Sequence, residues 1–346
     1  MAQSVSREIR LKKRPLGIPD ESDFELAEVS VREPGEGEVL VRNIFMSVDP
    51  YMRGRMNDQA SYIPPFELSK PLEGGCVGQV VTSKSAKFKV GDYVLGMKGW
   101  REFYLSDGSD LTGIAPAFGP IQSYLGVLGM PGLTAYVGLL DMGQPKEGET
   151  VFVSAASGAV GSIVSQIAKI KGCHVVGSVG SDEKVSWLLD TVGIDKALNY
   201  KKTPDLSSGL GKLCPDGIDI YYENVGGKHL EAALDHMKAF GRIVLCGMIS
   251  QYNTASRKDG PGNLFLAIVK RLTLKGFLVT DHMEKQRQFY ADMGKWIQEG
   301  RIKWQETIVE GIENAPRAFL DLFKGKNLGK MLVKIGPDPA VPEETL

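Results

Sequence analysis

Apolar residues recur along this chain with two different rhythms. In the first third they come in short runs broken by Gly and Pro: Val39–Ile44, Gly78–Val81, Asp92–Gly96 and Arg101–Leu105. Such runs, separated by turn signals like Pro34-Gly35 and Val90-Gly91-Asp92, predict the strands of a small β-rich domain. From Thr150 the rhythm changes. Thr150–Ser154 is an apolar, β-branched run, a glycine turn follows, and Val160–Lys171 has helical spacing. His174–Val179 predicts the next strand and Ser181–Thr191 the next helix, with Ser181 as its N-cap. Further strands are expected at Lys196–Asn199, Ile218–Glu223, Arg242–Cys246 and Thr273–Val279. This alternation predicts an α/β fold with a parallel sheet and helices on both faces. The last forty residues carry a strand at Glu306–Val309, a helix after Glu313 and a strand at Lys330–Ile335. They are expected to return to the first domain, which leaves a cleft between domains as the place for a ligand.

Length and charge narrow the classes. A chain of 346 residues exceeds one ordinary core and suits two domains. With a formal net charge of −1 and no long basic run, neither nucleic acid nor an anionic membrane is an expected partner. No stretch approaches the roughly 18 apolar residues of a membrane span. Met1–Arg14 is charged and polar, without the apolar core of a secretory signal, so a cytoplasmic location is expected. Its basic cluster, Arg10, Lys12, Lys13 and Arg14, reads as a solvated edge. The cysteines at 76, 173, 214 and 246 form no C-x-x-C pair, and the histidines at 174, 229, 236 and 282 form no H-x-x-x-H. No metal is therefore expected. Cys76 and Cys246, flanked by Gly and apolar residues, read as packing residues.

The most informative segment is Val151-Phe-Val-Ser-Ala-Ala-Ser-Gly-Ala-Val-Gly161. A hydrophobic strand runs into small residues, then Gly161, then a helix. Small residues let the backbone approach a pyrophosphate, Gly161 lets the helix pack on the strand, and the helix N-terminal amides hold the phosphates. In the G-x-G-x-x-G frame the three positions are Ala156, Gly158 and Gly161, so alanine replaces the first glycine. The choice of cofactor follows from charge. NAD sites place Asp or Glu at the end of the second strand. Here that strand ends Val176-Gly-Ser-Val-Gly180, without a carboxylate, and Lys184 follows. A 2′-phosphate would be attracted by Lys184, so NADPH/NADP+ is favoured. Asp182 and Glu183 fall in the first turn of the helix, where they offset its dipole. The plainer reading of Lys184 is a solvated surface charge.

With these residues in view the chain resembles the zinc-independent medium-chain reductases that include prostaglandin reductases, plant double-bond reductases and curcumin reductase. The likeness spans nearly the whole chain. It is densest at Ser47-Val-Asp-Pro-Tyr-Met-Arg53, Ala155–Gly161 with Gln166-Ile-Ala-Lys169, Val179-Gly-Ser-Asp-Glu-Lys184, Tyr222-Glu-Asn-Val-Gly226, Cys246–Asn253 and Asn327-Leu-Gly-Lys330. It implies a GroES-like β-rich catalytic domain over 1–125 and 300–346, and a doubly wound, parallel-sheet Rossmann domain over 126–299. It also implies a homodimer. Gly158, Ala159, Val160 and Gly161 would hold the pyrophosphate, and Lys184 and Tyr200 the adenosine end. Asn224, Cys246, Gly247, Ile249, Ser250, Tyr252, Phe277, Leu278, Val279 and Asn327 would line the ribose and nicotinamide. Without the likeness, Tyr200 is an ordinary strand-end aromatic, Asn224 a turn residue, and Asn327 part of a helix-ending turn. Zinc-dependent relatives carry a zinc-ligating Cys and a Gly-His-Glu motif where this chain has Ser47 and Leu72-Glu-Gly-Gly75. A zinc Lewis acid is not expected.

The implied activity is NADPH-dependent reduction of the C=C bond of a small hydrophobic α,β-unsaturated carbonyl compound. Such chemistry needs a hydrogen-bond donor for the oxygen that gains charge. Tyr252 is the first candidate and Tyr51 the second. The alternative for Tyr252 is a wall residue that only packs on the nicotinamide. Two other functions stay open at this point: a quinone reductase of the same architecture, and a non-catalytic NADPH-binding protein. Tyr62, Ile63, Pro64, Pro65 and Phe66 either line a pocket for a bulky enone or pack as a loop on the core.

Overall fold

Val39–Ser47, the central strand of the first of two units, is buried along almost its whole length because partners pair with it on both sides. The computed structural model describes residues 4–116, 119–254 and 260–339. Met1–Gln3 of the polar N-terminus lie outside them. The chain divides into one unit of residues 1–125, 306–327 and 331–346, and another of 126–305 and 328–330.

In the first unit the strands are β1 (Ser4–Leu11), β2 (Phe24–Val31), β3 (Val39–Ser47), β4 (Cys76–Ser83), β5 (Tyr93–Gly96), β6 (Phe103–Ser106) and β7 (Thr112–Ile114). β3, β4, β5 and β7 lie in that order in one antiparallel sheet, and β6 pairs with β3. Glu306–Glu310 and Lys330–Lys334 return from the end of the chain to the far edge of β3. β1 and β2 form a separate ribbon, not foreseen because Ser, Arg and Glu break their apolar residues into neither a continuous run nor a regular alternation. Within it, Ile9, Leu11 and Phe24 are buried against Trp100 and Phe319. The basic cluster is therefore only partly a solvated edge. Arg10 pairs with Glu8, and Arg14 donates to the Met56 carbonyl at 3.1 Å.

In the second unit β8 (Thr150–Ser154), β9 (His174–Val179), β10 (Lys196–Asn199), β11 (Ile218–Glu223), β12 (Met237–Leu245) and β13 (Thr273–Gly276) form a wholly parallel sheet in the order β10-β9-β8-β11-β12-β13. The order reverses between β8 and β11, and their C-terminal ends flank that switch point, where open α/β sheets bind ligands. β8 is buried at every position, which explains its unbroken apolar run. The helix Gly161–Ile170 lays Ile163, Val164 and Ile167 on the sheet. Ser181 caps Asp182–Ser186, its hydroxyl accepting the Lys184 amide, and the helical turns run on to Val192 before Gly193 at φ 78°. β13 stops at Gly276, three residues short of the expected Val279, so Phe277–Val279 lie beyond the sheet. The helix Leu206–Leu213 escaped the sequence because Ser207, Ser208, Gly209 and Gly211 are poor helix formers; Asp205 caps it through the Ser207 and Ser208 amides. No helix among the described residues is long and apolar enough to cross a membrane.

Candidate functional site

At the end of β8 the backbone turns sharply, with Ala155 in the left-handed region at φ 48°. The Gly158 amide closes the turn on the Ala155 carbonyl at 2.9 Å. A Cβ on Gly161 would overlap that same carbonyl and the Ala155–Ala156 backbone, so only glycine lets the helix start this close to the strand. The amides of Ala159, Val160 and Gly161 make no hydrogen bond among the described residues. Three donors at a helix start, none committed to protein, suit an anion. The sequence missed one participant. Gly329 runs beside this turn, bridged to Gly158, and its amide donates to the Ser157 carbonyl at 2.9 Å. Asn327 precedes it by two residues.

A second group gathers at the end of β9. Burial first, and the neighbouring Lys201 second, pull the half-buried Lys184 ammonium below its ordinary pKa, although Glu183 opposes them. Tyr200 and Lys201 both come close to Gly180, where a Cβ would lie 3.2 Å from the Tyr200 hydroxyl and 3.3 Å from Lys201 Cε. The Tyr200 ring stands edge-on to His229, centroids 5.0 Å apart. His229 is buried, meets Ser178 Oγ through Nε2 at 2.9 Å, and is held neutral by burial, with its pKa pushed down to about 4. Lys201 was not anticipated; its place beside the candidate Tyr200 was the only signal for it. Asp182 turns away to Asn199 and Lys202, so it does more than face the helix dipole.

The third group sits past β11 and β12. Asn224 donates through its amide to Ser154 Oγ at 2.9 Å and through Nδ2 to the Ser154 carbonyl at 2.8 Å. Its own carbonyl accepts the Ile249 amide. Ser250 Oγ donates to the Val225 carbonyl at 2.6 Å. The Tyr252 hydroxyl oxygen accepts the Met248 amide at 3.3 Å and lies 3.1 Å from where a Gly247 Cβ would stand. The Cys246 thiol is pushed up to about 11 by burial and by the Glu223 carboxyl nearby, against the Tyr222 hydroxyl, which fits the packing role expected of it. Buried Cys76 is likewise pushed up to about 12. Phe277 reaches toward Gly138, close to the same Tyr222; Leu278 and Val279 are half-buried beyond it.

Tyr51 belongs to the other unit. It opens the short helix Met52–Arg55, packs on that unit's core, and burial with Asp49 nearby raises its phenol well above the ordinary range. Of the loop that was expected either to line a pocket or to pack, Phe66 is core, covered by the Arg55 guanidinium at 4.1 Å, while Tyr62 is exposed. Where zinc-dependent relatives carry metal ligands, Ser47 donates to Asp49 and Glu73 pairs with Arg55 at 2.8 Å. Among the described residues no three His, Cys, Asp or Glu side chains come together to hold a metal, so the donor set does not fit zinc.

Residues 7–114 match the family model described as the N-terminal domain of oxidoreductase, and residues 159–299 the model described as zinc-binding dehydrogenase. The NADPH-dependent curcumin reductase of Escherichia coli is 45% identical, over 98% of this chain and 100% of its own. The NADP(+)-dependent 2-alkenal reductase of Nicotiana tabacum is 46% identical, over 97% and 99%. Among solved structures, CurA from Vibrio vulnificus in complex with NADPH superposes with a TM-score of 0.91 at 44% identity, covering 96% of this chain and all of that one.

Proposed function

The chain belongs to the zinc-independent medium-chain dehydrogenase/reductase family, and from that premise we propose that it reduces the carbon–carbon double bond of α,β-unsaturated ketones and aldehydes with NADPH. The observation that carries the cofactor is the meeting of Lys184 and Lys201 past β9, a strand whose end, Gly177-Ser-Val-Gly180, carries no carboxylate for a ribose 2′-hydroxyl. The unpaired amides of Ala159, Val160 and Gly161 suit the pyrophosphate. Tyr200 walls the adenosine end; Asn224, Cys246, Gly247, Ile249, Ser250, Tyr252 and Phe277–Val279 line the ribose and nicotinamide, and Asn327 joins them on family likeness alone.

NADPH, when bound, supplies the hydride that adds to the β-carbon. The chain supplies orientation and charge stabilisation. The Tyr252 hydroxyl donates to the carbonyl oxygen of the substrate as that oxygen gains negative charge, a bond that strengthens toward the transition state. Its oxygen accepts the Met248 amide, and that contact helps aim the phenol. Tyr51 remains the second candidate for that role on family likeness alone, kept protonated by burial. No side chain is assigned to the α-carbon proton, which water supplies.

We also infer a homodimer in the cytoplasm. Four unpaired cysteines suit a reducing compartment. Among the described residues nothing pairs with the outer edge of β13, and just before it Phe265, Ile268 and Val269 are 61%, 80% and 57% exposed, an apolar patch suited to a second copy.

The reading is tested by following NADPH absorbance with an enone, a quinone and a simple aldehyde, with a chelator present. Enone-dependent oxidation that prefers NADPH to NADH is expected, and Lys184→Ala should raise KM for NADPH and narrow that preference. Oxidation with the quinone alone, or an unaltered preference in the variant, would overturn it.

A further inference from the structure

A carboxyl group with no exposure at all lies beneath the third group. Glu223 ends β11, at the switch point of the sheet, and its Oε1 accepts two hydrogen bonds, from Ser154 Oγ at 3.0 Å and from the Val225 amide at 2.6 Å. Ser154 ends β8, on the other side of the same switch point. It passes the tie onward, since its hydroxyl oxygen accepts the Asn224 amide and its carbonyl accepts Asn224 Nδ2. The Glu223 carbonyl accepts the amides of both Cys246 and Gly247, each at 3.0 Å, and so draws in the end of β12. One residue thus joins the ends of three neighbouring strands through its side chain and its backbone.

We propose that Glu223, acting with Ser154, is a positioning pair that fixes Asn224 and the Cys246–Gly247 backbone for the nicotinamide end of the cofactor. This rests on the reading above, in which those residues line that end. A buried acid is costly, and a packed apolar side chain would serve stability at least as well. What an apolar residue would not supply is an acceptor for the Ser154 hydroxyl and the Val225 amide, the two groups that set where Asn224 sits. Burial raises the Glu223 carboxyl, while the Tyr221 hydroxyl, the Gly226 and Val225 amides and the Ser154 hydroxyl pull it down, and among the described residues Oε2 has no partner in hydrogen-bonding geometry. The Tyr221 hydroxyl lies close by.

The pair acts on one end of the cofactor only, and that separates positioning from general stability. The test measures enone turnover with NADPH and, separately, the affinity for 2′,5′-ADP, which reports the adenosine and phosphate end and lacks the nicotinamide. Ser154→Ala and Glu223→Ala should lower kcat roughly 10- to 100-fold, the cost of a small misplacement near the reacting atoms. Affinity for 2′,5′-ADP should stay within about twofold, because the hydrogen bonds of the pair run toward Asn224 and Cys246–Gly247 at the other end of the cofactor. Glu223→Gln keeps the accepting oxygen and should recover most of the turnover. Wild-type turnover with the enone checks the reading this rests on; the variants, measured against it, check Glu223. Unchanged kcat in Ser154→Ala and Glu223→Ala would overturn the proposal. So would a parallel loss of turnover and 2′,5′-ADP affinity, or a glutamine variant as impaired as alanine.

Discussion

Lys184 shows what a single residue can disclose before any fold is known. A strand end without a carboxylate, followed by a lysine one turn into a capped helix, is a local pattern, and the Ser181 cap is found where that pattern puts it. Lys201 lacks any such pattern, because only the parallel pairing of β9 with β10 brings it beside Lys184. The same holds for Glu223 and Ser154, which are 69 residues apart in sequence and meet at 3.0 Å. Tyr252 lies between these cases: its sequence neighbours marked it, and the folded loop adds the Met248 contact. Removal of one oxyanion donor costs on the order of 10²-fold. Tyr252→Phe is therefore expected to lower kcat with an enone by about that factor while Kd for NADPH stays nearly constant. Unchanged turnover would reduce Tyr252 to a wall residue.

The strand–turn–helix at Thr150–Ile170 was legible because each part carries its own signal: an apolar β-branched run, small residues, then a periodic apolar face. Elements with mixed signals were lost. β1 mixes Ser, Arg and Glu with its apolar residues in no regular period, and Leu206–Leu213 is rich in Ser and Gly. The docking of Leu328–Lys330 on the glycine turn was also hidden, since it joins segments about 170 residues apart in sequence. That docking depends on Gly329, which sits at φ 69° with the Gln305 carbonyl where a Cβ would be. Backbone strain of this kind costs about 1–3 kcal/mol before any overlap is counted. Gly329→Ala should accordingly lower unfolding free energy by at least that much in urea titration and weaken NADPH binding through the neighbouring turn. A variant with wild-type stability and affinity would show that the segment is not tied to the turn.

Across the molecule, the change of rhythm near Thr150 told a β-rich unit from a parallel α/β one, and the chain's return after residue 305 was visible only as a short strand–helix–strand tail. The apolar patch at Phe265–Val269 carries a prediction for the assembly. Ile268→Asp, at a residue 80% exposed, should shift the protein from dimer to monomer in sedimentation equilibrium and leave its circular dichroism unchanged. A wild-type monomer, or an unaltered dimer in the variant, would remove that surface from the account. The central claim is the site of reduction, and isotope transfer reads it directly. With NADPH deuterated at the transferring position of nicotinamide C4 and an α,β-unsaturated ketone as acceptor, the account predicts a saturated ketone carrying deuterium on its β-carbon by NMR. Deuterium on the carbinol carbon of an allylic alcohol, or an enone returned unlabelled, would contradict it.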